Sequence, residues 1–297
     1  MIATAVCKRL LTLSRERTLL GTVHSVFERA ANLELEGCAG LIGLIARELS
    51  FTPYAVSVRT DEPLTQAGLA AGQAAAVCGG RIAIPAAGVD IDLSLAEPVD
   101  LGCDSITLRY TDTAVAMLKN RIAAALDGAN AEMSLAPLAT GAGGNAYTRF
   151  LAPRLERLHA AVITGSSEAS ESAAARIAGC GMGLTPSSDD LLSGYLATLY
   201  LLFRMQGREY LRGMIPRMAQ AAAERTNRIS ATFLLHSGEG LANAAVYDLY
   251  RAAFQFMDEA AAMRAIERAL AIGSTSGADM LTGILLALRL YNGGNEQ

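Results

Sequence analysis

The sequence predicts an α+β protein: a small, barrel-like β domain over residues 1–110, followed by a mainly α-helical domain over residues 111–297. Three observations carry this reading. Between residues 21 and 108, short apolar stretches alternate Val, Ile and Tyr with polar residues and are separated by turn formers. From residue 111 the apolar positions recur at intervals of three and four, in windows rich in Ala, Leu, Met, Arg and Glu. The length of 297 residues also exceeds the roughly 100–200 residues of one ordinary domain.

In chain order, strands are expected within residues 21–27, 54–59, 74–78, 81–84 and 89–93, with Gly79-Gly80 placed as a two-residue hairpin turn. Helices are expected over 113–126, 147–162, 169–177, 188–205, 210–226, 230–236, 241–255, 257–271 and 277–291. Residues 136–145, with Pro137, Gly141, Gly143 and Gly144, have the composition of a connecting or gating loop.

Composition narrows the function. A formal charge of -4 and no run of Lys or Arg with interleaved aromatics exclude the electrostatic footprint that nucleic acid requires. The apolar runs fall short of the ~20 residues that cross a bilayer, and no secretory leader is legible, so a soluble cytoplasmic protein is expected. Five scattered cysteines, never as Cys-x-x-Cys, fit a reducing compartment and suggest neither a disulfide framework nor a zinc cluster. Only 18% of residues are charged, which leaves little polar coat for a monomer and points to a homo-oligomer or a seat in a larger complex.

The densest chemical signal is the run from Gly179 through Gly181, Gly183, Thr185, Ser187, Ser188, Asp189 and Asp190 to Gly194. Its glycines allow close backbone approach, and Thr185 or Ser187 can cap the helix that Pro186 helps to start. A glycine loop feeding a helix N-terminus is a setting for a phosphate or carboxylate. The plain alternative is a tight loop whose aspartates complement the helix dipole. The run from Ser274 to Gly283 repeats the first at an offset of 89 residues, aligning Thr185 with Ser274, Ser187 with Ser276, Ser188 with Gly277, Asp190 with Asp279 and Gly194 with Gly283. Two such helix starts aimed at one point would make a doubly positive pocket. Between them, Arg225 and Arg228 offer guanidinium groups for a planar carboxylate, and Ser230 reads as an N-cap.

Other chemistry has less footing. His24, His159 and His236 stand alone, without metal-ligand spacing, so no metal centre is assigned. His236 reads as a helix-end histidine or a proton shuttle. Asp189, Asp190 and Asp279 are explained by the helix dipoles; magnesium shared among them is the other reading. Neither a catalytic triad nor a nucleophile elbow is legible.

These residues resemble the family that includes the AllH-type subunit of oxamate carbamoyltransferase. The family's run Gly-Leu-Thr-Pro-Ser-Gly-Asp-Asp is reproduced at residues 183–190 with one change, Ser188 in place of glycine. The Thr-Ser-Gly-Ala-Asp run ending at Asp279, the neighbourhood of Ser230, and the early Val23-His24-Ser25-Val26-Phe27 with Ala31-Asn32-Leu33 are also similar. The resemblance implies carbamoyl transfer in purine or allantoin nitrogen catabolism, within a complex of different subunits, where oxamate and carbamoyl phosphate form from oxalurate and phosphate. Residue chemistry and the resemblance together make Gly181, Gly183, Thr185, Ser187, Ser188, Asp189, Asp190, Arg225, Arg228, Ser230, Ser276, Gly277 and Asp279 the expected substrate-binding set. No cofactor is expected, and two competitors stay open, a non-catalytic assembly or regulatory subunit and an independent carboxylase- or ligase-like enzyme. If position 188 required a left-handed backbone, its serine would be strained by about a kcal/mol.

Overall fold

The computed structural model of the chain describes residues 1–291. Two compact units follow one another, Met1–Leu101 and a second beginning at Gly102.

The first unit is one nine-stranded sheet curled into a half-barrel, in the order β8-β7-β6-β2-β3-β4-β5-β1-β9. Its elements are β1 (Ile2–Cys7), α1 (Lys8–Glu16), β2 (Leu19–Val26), β3 (Ala30–Leu35), β4 (Ile42–Ala46), β5 (Ala55–Arg59), β6 (Ala74–Cys78), β7 (Arg81–Ile84), β8 (Val89–Asp92) and β9 (Glu97–Val99). Pairings are antiparallel except β4–β5 and β1–β9. Period-2 alternation sends Leu33, Leu44, Val56, Val58, Ile82 and Ile91 into a common core, joined by Leu10 and Leu11 of α1. One edge strand is short and carries Pro98; on the other, Asp90 and Asp92 are paired to Arg81, so neither edge invites a further strand.

The expected hairpin is present: Cys78 pairs with Arg81, and Gly79 and Gly80 have φ of 56° and 74°. Two successive left-handed residues define a type I′ turn. Replacing the pair with Ala-Ala should cost about 1–2 kcal/mol per position, whereas Asn-Gly should be tolerated; urea denaturation of the full chain measures the difference.

The second unit is helical. It contains α2 (Asp112–Asp127), α3 (Pro137–Thr140), α4 (Ala146–Ile163), α5 (Ser167–Ile177), α6 (Ser187–Met205), α7 (Met214–Ala223), α8 (Arg228–Gly238), α9 (Ala244–Arg251), α10 (Glu259–Leu270) and α11 (Ser276–Leu288). No described helix is long and apolar enough to cross a membrane. Helix α6 is buried at every position but Arg204, whose guanidinium donates to the carbonyls of Cys103 and Ile106. It is the axis on which α11 and α8 pack.

Helix boundaries follow the caps. Thr111, Asn145, Ser166, Asn227, Asn243 and Asp258 each accept a backbone N–H from the first turn. Four expectations are corrected here. The 136–145 stretch contains a helical turn, α3, because Pro137 opens it and Gly141, at φ 76°, closes it. The helix expected over 210–226 is a 3₁₀ turn, Glu209–Leu211, followed by α7. The one expected over 241–255 passes from α9 into a π-helical turn, Ala252–Phe256, that ends at left-handed Met257 (φ 53°), so α10 starts at its Asp258 cap. Asn227, not Ser230, caps α8: its side chain accepts from the N–H groups of Ile229 and Ser230.

Candidate functional site

The two repeated segments meet as a pair of helices in the helical unit. The Oγ1 of Thr185, just ahead of α6, lies 3.2 Å from the Oγ of Ser276, the first residue of α11. Further along, a β-carbon on Gly194 would fall 2.1 Å from the Met280 carbonyl oxygen, and one on Gly283 would fall 1.9 Å from that of Leu191. Met280 is the repeat equivalent of Leu191, as Gly283 is of Gly194. Each glycine therefore admits the backbone of the other helix, and α6 and α11 pack against each other through repeat-equivalent positions.

Both first turns are also tied back to the chain that precedes them. The Ser188 N–H donates to the Cys180 carbonyl at 3.0 Å, and that of its equivalent, Gly277, donates to the Ile272 carbonyl at 3.0 Å. One orphan donor at each helix start is thus engaged by the chain itself. The influence of the hydroxyls crosses over: those of Ser276 and Thr185 favour the ionised form of Asp190, and those of Ser187 and Thr275 that of Asp279.

Asp189 has a different task. It accepts the Gly179 N–H at 2.7 Å and the Thr226 hydroxyl at 2.5 Å, while the Asn227 amide donates to the Leu184 carbonyl at 2.9 Å. The glycine loop is thereby tied to the turn between α7 and α8. Gly179 and Gly181 fit no other residue: a β-carbon at Gly179 would meet the Arg225 carbonyl oxygen at 2.6 Å, and one at Gly181 the Ser187 nitrogen at 2.4 Å. Gly183 is different, with φ 96° and open space around it, and the flanking Met182 and Leu184 are 75% and 56% exposed.

Electrostatics single out two carboxyl groups. Burial pushes Asp190 up to about 8, helped by the charges of Asp279 and Asp189 and opposed by the Ser276 and Thr185 hydroxyls. Burial likewise pushes Asp279 up to about 6, against the Leu135 N–H and the Ser187 and Thr275 hydroxyls. The Leu135 N–H donates to Asp279 Oδ1 at 2.6 Å, while Asp279 Oδ2 and Asp190 Oδ2 are buried without a hydrogen-bond partner. The Cys180 thiol is pushed up by burial, against the lowering effect of Arg154, so the loop holds no activated thiolate. Among the described residues, no group of three His, Cys, Asp or Glu side chains is arranged to hold a metal ion, and none is assigned as a ligand.

The structure brings Gly181, Thr185, Ser187, Ser188, Asp190, Ser276, Gly277 and Asp279 to the paired helix starts. Thr185 and Ser187 do not cap α6: Pro186 occupies the cap position, Ser187 is the first helical residue, and no side chain bonds the cap. Ser188 is not strained, because it lies in the first turn of α6, and its Oγ accepts the Cys180 N–H at 2.8 Å. Gly183 forms the exposed lip. Arg225 is exposed and touches the loop through its carbonyl, Arg228 opens α8, and Ser230 is buried one turn into the cap of that helix. His236 is buried in the last turn of α8. Sequence reasoning missed Thr226, Thr275 and the Leu135 N–H. The signal for Thr226 lay in the same 224–233 segment, where the arginines drew the attention instead.

A curled half-barrel followed by a helical unit, with a repeated Ser-x-x-Asp pair at its centre, defines the class. The family described as oxamate carbamoyltransferase subunit AllH matches residues 177–288, and the AllH family N-terminal domain matches residues 2–98. The chain belongs to the AllH family. Neither a curated protein nor a solved structure matches it.

Proposed function

We propose that the chain works as the AllH-type subunit of an oxamate carbamoyltransferase, alongside other subunits, and seats a small carboxylate or phosphate at the paired starts of α6 and α11. The observation that carries this reading is the 3.2 Å approach of the Thr185 and Ser276 hydroxyls, at the starts of α6 and α11. With the Ser188 and Gly277 N–H groups already engaged, a guest would take its hydrogen bonds from the N–H groups of the open Gly183 loop and from the Thr185 and Ser276 hydroxyls as they turn away from Asp190. Arg225 and Arg228, at the adjoining turn, would anchor a carboxylate by paired hydrogen bonds. Such donors, fixed before the substrate arrives, stabilise charge that develops as a carbamoyl group moves. No cofactor enters this reading. The five free cysteines support a reducing, cytoplasmic setting, and a homo-oligomer within the assembly completes the proposal.

Titration calorimetry of the purified full chain with oxamate, carbamoyl phosphate and inorganic phosphate tests the seat. Binding that weakens about tenfold in Ser276→Ala and in Thr185→Val is expected, the loss of one hydrogen bond each. Failure of all three anions to bind the unaltered chain would remove the seat. The second reading, a non-catalytic assembly subunit, is favoured by the way Gly194 and Gly283 are accounted for by helix packing. It requires a chain that binds no anion yet still joins its partner subunits in gel filtration.

A further inference from the structure

We propose that Ser25 of β2 is a nucleophile with His24 as its base, a second chemical site, carried by the half-barrel, that takes an acyl group from a small activated donor and passes it to water. The donor class is an ester or acyl phosphate. This site stands independently of the reading of the helix starts.

A regular strand turns neighbouring side chains to opposite faces, which keeps residues i and i+1 from cooperating. Between β2 and β3 the register slips: Val23 pairs with Leu33, whereas Ser25 pairs with Asn32, so His24 is one extra residue on β2. Val23, Ala31 and Leu33 lie in the core, and Val26 packs against it. Two residues, His24 and Ser25, thus stand between inward-facing valines where strict alternation leaves room for one. Their side chains meet: Ser25 Oγ lies 3.1 Å from His24 Nδ1, and the Asn32 amide donates to the same oxygen at 3.0 Å. All three residues are half-buried, so the group is ordered yet within reach of a solute.

The direction of the hydrogen bonds follows from counting protons. A serine hydroxyl has one proton and two lone pairs. Asn32 donates to the oxygen, and the hydroxyl proton finds its acceptor in Nδ1 of a neutral imidazole whose own N–H is on Nε2. That is the arrangement in which a base activates a nucleophile, with a third group holding the oxygen in place. Approach is also provided for. The residue paired with Asn32 on β4 is Gly43, where a β-carbon would meet only Ile45 Cγ2 at 3.4 Å and Ala55 Cβ at 3.8 Å. Those are ordinary contacts, so packing does not demand glycine there, and its bare backbone leaves room beside the Asn32 amide. On the other side, the ladder from β2 to β6 ends at Thr22, before His24.

The chemistry balances without a further reagent than water. Ser25 Oγ bonds to the carbonyl carbon of the donor while its proton passes to His24 Nδ1. The bond from that carbon to the leaving oxygen then breaks, its electron pair and the proton from Nδ1 going to that oxygen. Water attacks the acyl-serine carbon, giving a proton to Nδ1; the bond to Oγ breaks with its electron pair on Oγ, and Nδ1 returns the proton there. The Asn32 N–H steadies the negative charge on Oγ each time it develops.

A sulfonyl fluoride, phenylmethylsulfonyl fluoride, tests the nucleophile in the unaltered full chain, with the modified residue located by peptide mass spectrometry. Labelling of Ser25 is expected, with Ser94, exposed on its turn, left unmodified. p-Nitrophenyl acetate should give a burst of one equivalent of p-nitrophenolate, absent in Ser25→Ala. His24→Gln should slow both reactions about 100-fold or more, and Asn32→Asp, which replaces the donor with a negative acceptor, should also slow them. Urea midpoints show that the variants are folded. An unlabelled Ser25 in the unaltered chain overturns the proposal without recourse to any variant. So do labelling unchanged in folded His24→Gln, which would leave the trio a surface hydrogen-bond network, and a burst that survives in Ser25→Ala.

Discussion

Gly283→Ala is expected to destabilise the chain by about 3 kcal/mol or more, the upper end of what overpacking a closed interior costs. The added carbon would lie 1.9 Å from the Leu191 carbonyl oxygen, 2.8 Å from its carbonyl carbon and 2.9 Å from the Tyr195 nitrogen. All three atoms are backbone in the first half of a helix buried along its length, so no flexible side chain can yield. Alanine's better helix propensity returns about 1 kcal/mol at most. Gly194→Ala should behave alike, against the Met280 carbonyl. Because a single separation of α6 from α11 relieves both clashes, the double variant should cost clearly less than the two single costs added together. Gly213→Ala is the control: nothing lies within 4 Å of its β-carbon, and its effect should stay within about 0.5 kcal/mol. Denaturation midpoints of the four proteins decide the matter, and additive single costs would show that the helices do not move as a pair.

The half-barrel and the helical unit were legible because alternation and three-to-four spacing survive in the text wherever one face is buried. The repeat was legible for the same reason, since both helix starts answer one packing demand. What the sequence concealed were partners far away along the chain. Thr185 looks like a cap, yet its hydroxyl meets Ser276, 91 residues on, and Asn227 takes the capping role assigned to Ser230. The aligned positions 188 and 277 also look interchangeable, and the surroundings make them unequal. Ser188 faces the Cys180 turn, where its hydroxyl accepts an N–H. At Gly277 a β-carbon would lie 1.9 Å from the Ala269 carbonyl oxygen, so the end of α10 enforces glycine there. The departure from the family's glycine at position 188 therefore closes the loop onto α6. Both the glycine loop and the Leu135 turn are fastened by carboxylates, of Asp189 and Asp279, and this is why the aspartates could not be assigned from spacing alone.

Asp190→Asn should stabilise the isolated chain, and increasingly so as pH rises. The folded state raises the Asp190 carboxyl from 3.8 to about 8, so the native protein holds a proton that the unfolded chain releases. A raised value contributes stability that is complete below the unfolded value and is lost as pH climbs toward the folded one. Between pH 4 and pH 8 the unaltered chain should therefore lose stability, at up to about 1.4 kcal/mol per pH unit from this residue. Asp279, raised from 3.8 to about 6, adds a smaller loss confined to the lower half of that window. Asparagine keeps the shape and the hydroxyl contacts but cannot ionise, so its advantage should be small near pH 4 and should reach a few kcal/mol by pH 8. Thermal unfolding of both proteins across this range gives the comparison; a Tm difference independent of pH would mean that Asp190 carries no raised titration in the folded state. The sign matters for the site. A core optimised only for helix packing would gain by replacing this carboxyl with an amide, so an ionisable group kept at the meeting point of two helix starts lowers stability near neutral pH and leaves a proton where a small anion would lie.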